Sequence, residues 1–263
     1  MIKFNFNKKL VLVLASSKGI GFELAKQFAL NNAKVAICSR NQANLNKAKK
    51  ILSKVAKDND QIKFFKVDLS NPQQLNMMHK KIINSFKSKI DILINNSGGP
   101  DSKIIADTTK EDWEYTLNNN LKSFIYMSQL VVKDMKIKKW GRIINLTSST
   151  AKEPAENMVL SNVSRAGVLA FAKTLSKEIK MKNVTVNSIL TGAVLTDRLK
   201  ELIKKKNKNY KIRMQQISDS IPVKHVASTF EFSQLILFLC SENASYINGA
   251  AITVDGGSSK TIF

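Results

Sequence analysis

The sequence predicts an α/β fold: one doubly wound domain spanning residues 1–263, built on a seven-stranded, mostly parallel sheet with helices on both faces. Two observations carry this. Short apolar runs alternate with amphipathic stretches almost from end to end, which is the strand-helix rhythm of parallel sheets. The runs are also apolar at successive positions rather than at every second one, so both faces of each strand are buried. A chain of 263 residues is long enough to bury the core such a sheet needs.

In chain order, the first strand spans 9–15 and enters the segment LVLVLASSKGIG at 10–21. Its Gly19-Ile20-Gly21 turn brings backbone N–H groups to the start of a helix over 21–31, a place suited to a pyrophosphate. A glycine turn of this kind also serves packing alone, so by itself it is a weak signal. Strands at 34–38, 62–67, 90–94, 141–146, 184–189 and 251–254 follow. Helices at 42–57, 72–85, 111–135, 158–180 and 228–241 show apolar residues at three- and four-residue spacing. Right-handed crossovers then leave the doubly wound topology as the best fit. The rhythm breaks at 199–221, KELIKKKNKNYKIRMQQISDSI after Leu199, which reads either as a lid-like helical insertion or as a solvated surface helix.

The formal charge is +22, from 42 Lys and Arg against 20 Asp and Glu, and only five of the basic residues are Arg. Lysine is spread over helix faces without Arg-aromatic clustering, so nucleic acid is not the expected partner. The same field favours acidic substrates or carriers. Cys38 and Cys240 sit in apolar contexts and read as free buried thiols, with no metal site implied. The amino-terminal MIKFNFNKK has no apolar signal core and no run approaches a membrane span, so a soluble cytoplasmic protein is expected.

Two positions bear on nucleotide choice. After the second strand, where an acidic residue would accept from a ribose 2′-OH, the chain has Ser39-Arg40, and Lys18 stands in the first turn. Two cations there favour a 2′-phosphate, hence NADP(H) over NAD(H). The alternative is that both are ordinary surface cations of a basic chain.

Beyond the first turn, a set of segments resembles the short-chain dehydrogenase/reductase family over nearly the whole chain. They are ASSKGIG at 15–21, VDLS at 67–70, INNSGG at 94–99, NNNLKSF at 118–124, GRIINLTSS at 141–149, SRAGVLAFAKTLSKE at 164–178 and SYINGAAITVDGG at 245–257. The nearest likeness is to 3-oxoacyl-carrier-protein reductases. The resemblance implies a Rossmann-type fold and cofactor contacts from Ala15, Ser17, Lys18, Gly19, Ile20, Gly21, Arg40, Asp68, Leu69, Asn95, Ser97, Gly98, Arg165, Thr191, Gly192 and Thr196. Among these, Asp68 would lie by the adenine, Asn95 would steady the central strands and Thr196 would reach the nicotinamide amide. Where the family turn begins TGxxxGIG, this chain has Leu14-Ala15, and alanine lacks the easy positive φ of glycine. The long helices at 111–135 and 158–180 resemble those of the family's dimer contact, which implies a homotetramer.

The family's active-site set is Asn, Ser, Tyr and Lys, with the last two spaced YxxxK. Asn120 and Ser148 match the first two, whereas Ser161 and Arg165 stand at the Tyr and Lys positions, giving SxxxR. None of Tyr115, Tyr126, Tyr210 and Tyr246 falls in that helix. An aliphatic hydroxyl is a far poorer acid than a phenol, so Ser161 does not fill the Tyr role by direct contact; Arg165 can still hydrogen-bond the cofactor's ribose hydroxyls, but it keeps its proton and cannot shuttle one. Three accounts stay open: a reductase of a carbonyl or secondary alcohol whose proton arrives through water held by Ser148, Ser161 and Asn120 or from Lys152 or Glu153; different chemistry on the scaffold; or a catalytically degenerate NADP(H)-binding protein. A 3-oxoacyl group, small or carrier-bound, is the substrate type implied, with specificity set by 99–107, 150–157 and the insertion. His79 and His225 read as structural or surface residues. Met77-Met78 and the Phe-rich 230–238 read as core.

Overall fold

The computed structural model describes residues 3–58, 60–206 and 209–262. Within them seven strands, all parallel, form one sheet: β1 Leu10–Val13, β2 Lys34–Ser39, β3 Ile62–Lys66, β4 Ile92–Asn95, β5 Gly141–Leu146, β6 Val184–Thr191 and β7 Ala251–Val254. Their order is β3-β2-β1-β4-β5-β6-β7. The order reverses between β1 and β4, and the carboxyl ends of those two strands open the crevice where such sheets bind ligands.

The apolar runs are explained by two cores. Val11 and Val13 of β1 pack with Leu24, Ala25 and Phe28 of α1 (Gly19–Leu30), Leu45 and Ala48 of α2 (Gln42–Leu52), and Phe232 and Ile236 of α9 (Thr229–Cys240). Leu10 and Leu12 face the other way, onto Leu75 and Ile82 of α3 (Pro72–Phe86), Met127 and Val131 of α5 (Ser123–Lys138) and Ala172 of α6 (Val159–Glu178). Neighbouring residues of a strand point to opposite faces, so covering both faces demands an unbroken apolar run.

The expected helix over 111–135 is three connected pieces: α4 Lys110–Leu117, a wide π turn Asn118–Lys122, and α5. The helix expected over 42–57 stops at Leu52, because Lys54 and Val55 bond three residues back and Val55 and Ala56 fold onto the first core. The insertion at 199–221 is two helices, α7 Asp197–Lys206 and α8 Tyr210–Ser220; its residues 207 and 208 lie outside the described residues. Ile203 and Ile221 are buried beneath it. Met78 and Phe232 are core as expected, but Met77 and Phe230 are about half exposed, at 53% and 45%, one and two residues from those buried neighbours. Both cysteines are fully buried and free.

Candidate functional site

The β1–α1 turn is shaped by close backbone packing. Gly19 has φ +62°, and a Cβ on Gly21 would fall 2.7 Å from Asn96 Nδ2 and 2.8 Å from the Ala15 carbonyl oxygen. Ala15 itself has φ +44°, so the position needs the left-handed conformation and alanine adopts it under strain. Asn96 Nδ2 donates to the carbonyls of Leu14 and Ala15, both at 3.1 Å, which locks the turn to the end of β4. Lys18, extended at φ −156°, caps α1 with no side-chain bond, and the first turn holds no acidic residue. The amide donors at that positive helix end are therefore available to an anion.

Ser17 Oγ donates to Ser39 Oγ at 3.0 Å, bringing the segment of Lys18 beside that of Arg40. Arg40 Nη1 donates to the Tyr115 hydroxyl, and its guanidinium lies 5.7 Å from the centroid of that ring. Asp68 accepts from the backbone N–H and hydroxyl of Ser70, at 2.9 and 2.8 Å, fixing the turn after β3 next to the buried Leu69. Across the crevice, Thr196 Cγ2 lies 3.5 Å from where a Gly19 Cβ would stand, so the loop after β6 directly faces the first turn. Thr191 ends β6, and the glycine at 192 answers to packing: a Cβ there would meet Asp255 at 2.5 Å.

At the ends of β4 and β5 a second group of side chains converges on Ser97. Asn120, turned inward by the π turn, donates through Nδ2 to Ser97 Oγ and to the Gly98 carbonyl, both at 2.8 Å. Arg165 donates to Ser97 Oγ at 3.3 Å and to the Leu146 carbonyl at 3.1 Å. Ser148 Oγ accepts from the Thr150 N–H and hydroxyl at 3.2 and 3.1 Å. The hydroxyls of Ser97 and Ser148 thus each receive two hydrogen bonds and keep their own proton for a ligand. Ser161, one helical turn before Arg165, is buried, and α6 packs on the turn that Ser148 caps. Burial alone lowers the Arg165 guanidinium to about 10, which leaves it a cation at neutral pH.

Asn95 is fully buried and donates to Asn145 Oδ1 at 2.8 Å and Ser128 Oγ at 3.1 Å, so it steadies the central strands as expected. Several other expected residues stand elsewhere. Ile20 turns its side chain toward the first core. Lys152 Nζ reaches the Ala251 carbonyl at 3.4 Å, and Glu153 accepts from the Lys260 N–H at 3.0 Å; both side chains are occupied away from Ser97. His79 pairs with Asp134 at 2.8 Å between α3 and α5, and His225 with Glu231 at 3.1 Å at the start of α9. Three contributions escaped sequence reading: Asn96 as the lock on the turn, Tyr115 as the partner of Arg40, and Ser97 as the hub of the second group. The Asn-Asn-Ser run at a strand end was the visible signal for Asn96 and Ser97; Tyr115 had none.

A family model described as enoyl-(acyl carrier protein) reductase matches residues 14–259. The chain belongs to the short-chain dehydrogenase/reductase family. The chain is 32% identical over 251 residues to 3-oxoacyl-[acyl-carrier-protein] reductase FabG of Buchnera aphidicola, covering 95% of the chain and 97% of the relative. It is also 32% identical over 261 residues to the NADPH-dependent reductase BacG of Bacillus subtilis, covering 97% and 100%. Among solved structures it resembles L-sorbose reductase of Gluconobacter frateurii complexed with NADPH and L-sorbose, with TM-score 0.92, 29% identity, and 99% and 100% coverage. A 7α-hydroxysteroid dehydrogenase complexed with NADH superposes with TM-score 0.88 at 28% identity, covering 99% and 98%. Sheet, crevice and turn are thus those of the family's oxidoreductases.

Proposed function

We propose that this protein is an NADP(H)-dependent oxidoreductase that interconverts a carbonyl and a secondary alcohol, with small-molecule or carrier-bound 3-oxoacyl compounds as substrates. The observation that carries it is the crevice: an unclaimed helix N-terminus faces Thr196 on one side, and two hydroxyls with protons to donate stand on the other. The NADPH-dependent and NADPH-complexed relatives support the cofactor half. The residues fit that group. The α1 amides would hold the pyrophosphate, Lys18 and Arg40 the 2′-phosphate, and the open space beside Gly98 and Gly99 leaves room for the ribose.

When bound, the cofactor supplies the hydride. Ser148 and Ser97 orient the carbonyl oxygen by donating to it, and the Arg165 cation stabilises the negative charge that develops there. Asn120 is a positioning residue, its polar atoms being spent on Ser97, Gly98 and Asn119. The proton comes from water ordered by Ser148 and Ser161, since the helix bearing Arg165 contains no tyrosine. Titration with NADPH and NADH tests the cofactor half, and equal or tighter NADH binding sinks the 2′-phosphate assignment. Turnover of a carbonyl panel that Ser148→Ala abolishes tests the chemistry.

A second reading, an NADP(H)-binding protein without turnover, is favoured by that missing phenol. NADPH binding with no turnover across the panel would select it. A homotetramer also belongs to this proposal: Tyr126 and Ile137 of α5 and Val163 of α6 leave apolar surface exposed on the helices expected to pair. Sedimentation equilibrium reads its mass directly.

A further inference from the structure

Lys18 and Arg40 are the two cations beside the nucleotide turn, and only one of them is held. Lys18 is exposed, and its ammonium has no partner among the described residues. Arg40 is exposed as well, yet its Nη1 donates to the Tyr115 hydroxyl and its Cζ lies 5.7 Å from the centre of that ring. No carboxylate pairs with Arg40 among the described residues, so its charge stays unmatched. The bond to Tyr115 uses one of the five guanidinium N–H groups and leaves the donors of Nε and Nη2 free.

Tyr115 is itself fixed by its helix. The start of α4 is closed by the reciprocal box of Thr109 and Asp112, Trp113 Nε1 donates to Thr108 Oγ1 at 3.1 Å, and Lys103 Nζ lies 2.5 Å from Asp112 Oδ2. Thr116, next to Tyr115, is buried. Arg40 follows β2 and α4 follows β4, the strands on either side of β1, so their link joins the two banks of the crevice. An arginine that its ligand must first immobilise loses affinity by about two- to tenfold, and one ordered beforehand escapes that loss. Because the phenol is neutral and takes a single N–H, a phosphate can be gripped by the remaining donors with the tyrosine bond in place.

We propose that Tyr115 is a positioning residue for nucleotide choice: it holds the Arg40 guanidinium across the crevice, so that a 2′-phosphate meets a cation already in place. This rests on the NADP(H) reading and deepens it, since it assigns the preference to a pair of residues from β2 and α4 and not to the two cations alone. The hydroxyl of Tyr115 is the part that acts, because it fixes the direction of the guanidinium fork, which a ring contact alone does not. Lys18, unheld, adds charge without geometry.

The test is titration calorimetry of adenosine 2′,5′-bisphosphate and AMP on the full chain, with NADPH and NADH alongside. Tyr115 is 40% exposed, so Tyr115→Phe, which keeps the ring and removes the hydroxyl, leaves the fold intact. It should weaken the bisphosphate and NADPH by about two- to tenfold and leave AMP and NADH unchanged. In an Arg40→Ala background the same substitution should change nothing, because the hydroxyl then has no guanidinium to hold. A tighter bisphosphate in Tyr115→Phe would overturn the proposal by making Tyr115 a competitor for Arg40. An equal loss for AMP would overturn it too, by making Tyr115 a wall of the adenine site. A wild-type chain that binds the bisphosphate no better than AMP would strike the NADP(H) reading and this proposal with it, whereas a wild-type preference that Tyr115→Phe leaves whole would strike this proposal alone.

Discussion

Arg40 stands at the carboxyl end of β2 with the Tyr115 ring as its neighbour, a partner that carries no charge to compete with a phosphate. Arg40→Ala should therefore weaken NADPH binding by about tenfold, the loss of one charge-assisted contact, and leave NADH binding unchanged. A parallel loss for both nucleotides, read by fluorescence titration, would assign Arg40 to Tyr115 alone. His225 offers a residue-level pH test. The Val223 carbonyl and then Glu231 raise its pKa above the ordinary imidazole value. A raised base stabilises the fold fully below the unfolded pKa and loses that contribution as pH rises through the folded one. Proton NMR should show His225 titrating above pH 6.5, the ordinary value, and a midpoint at or below it would contradict the Glu231 pairing. The residue scale is also where the sequence was least legible. Asn96 and Ser97 lie in a motif that the chain displays openly, yet which atoms they bond depends on the turn after β1, the π turn and α6, all far away in sequence.

At the scale of elements, most helices announce their own starts. Asn41, Asn71, Thr109, Asn209 and Ser228 all cap by accepting from an N–H three residues on, and Thr109 and Ser228 complete reciprocal boxes with Asp112 and Glu231. Ser228→Ala should cost about 1 kcal/mol of unfolding free energy. Denaturant melts check this, and an unchanged midpoint would mean Glu231 holds the helix start alone. The active-site helices depart from that pattern. Lys18 caps α1 without a side-chain bond, and α4 passes into α5 through a π turn that carries Asn120 inward. A 3.6-residue period read over the whole of 111–135 averages across this five-residue turn and hides it.

For the whole molecule, the net charge of +22 means that the folded state repels itself. Raising NaCl from about 0.02 to 0.3 M shortens the screening length from roughly 20 Å to under 6 Å and should raise the melting temperature. A fall with salt would show that the ion pairs outweigh the repulsion. Strand positions, the two-faced burial of the sheet and the nucleotide turn were legible in the sequence, because a strand covered on both sides must be apolar throughout and a close backbone approach demands glycine or alanine. Family membership followed from ordered motifs. Only the tertiary structure decided that Asn96 locks the nucleotide turn, that Lys152 and Glu153 turn away, and that Arg165 lies buried with no carboxylate paired to it among the described residues. Those outcomes depend on which distant strands meet at one edge, and no local pattern encodes that meeting.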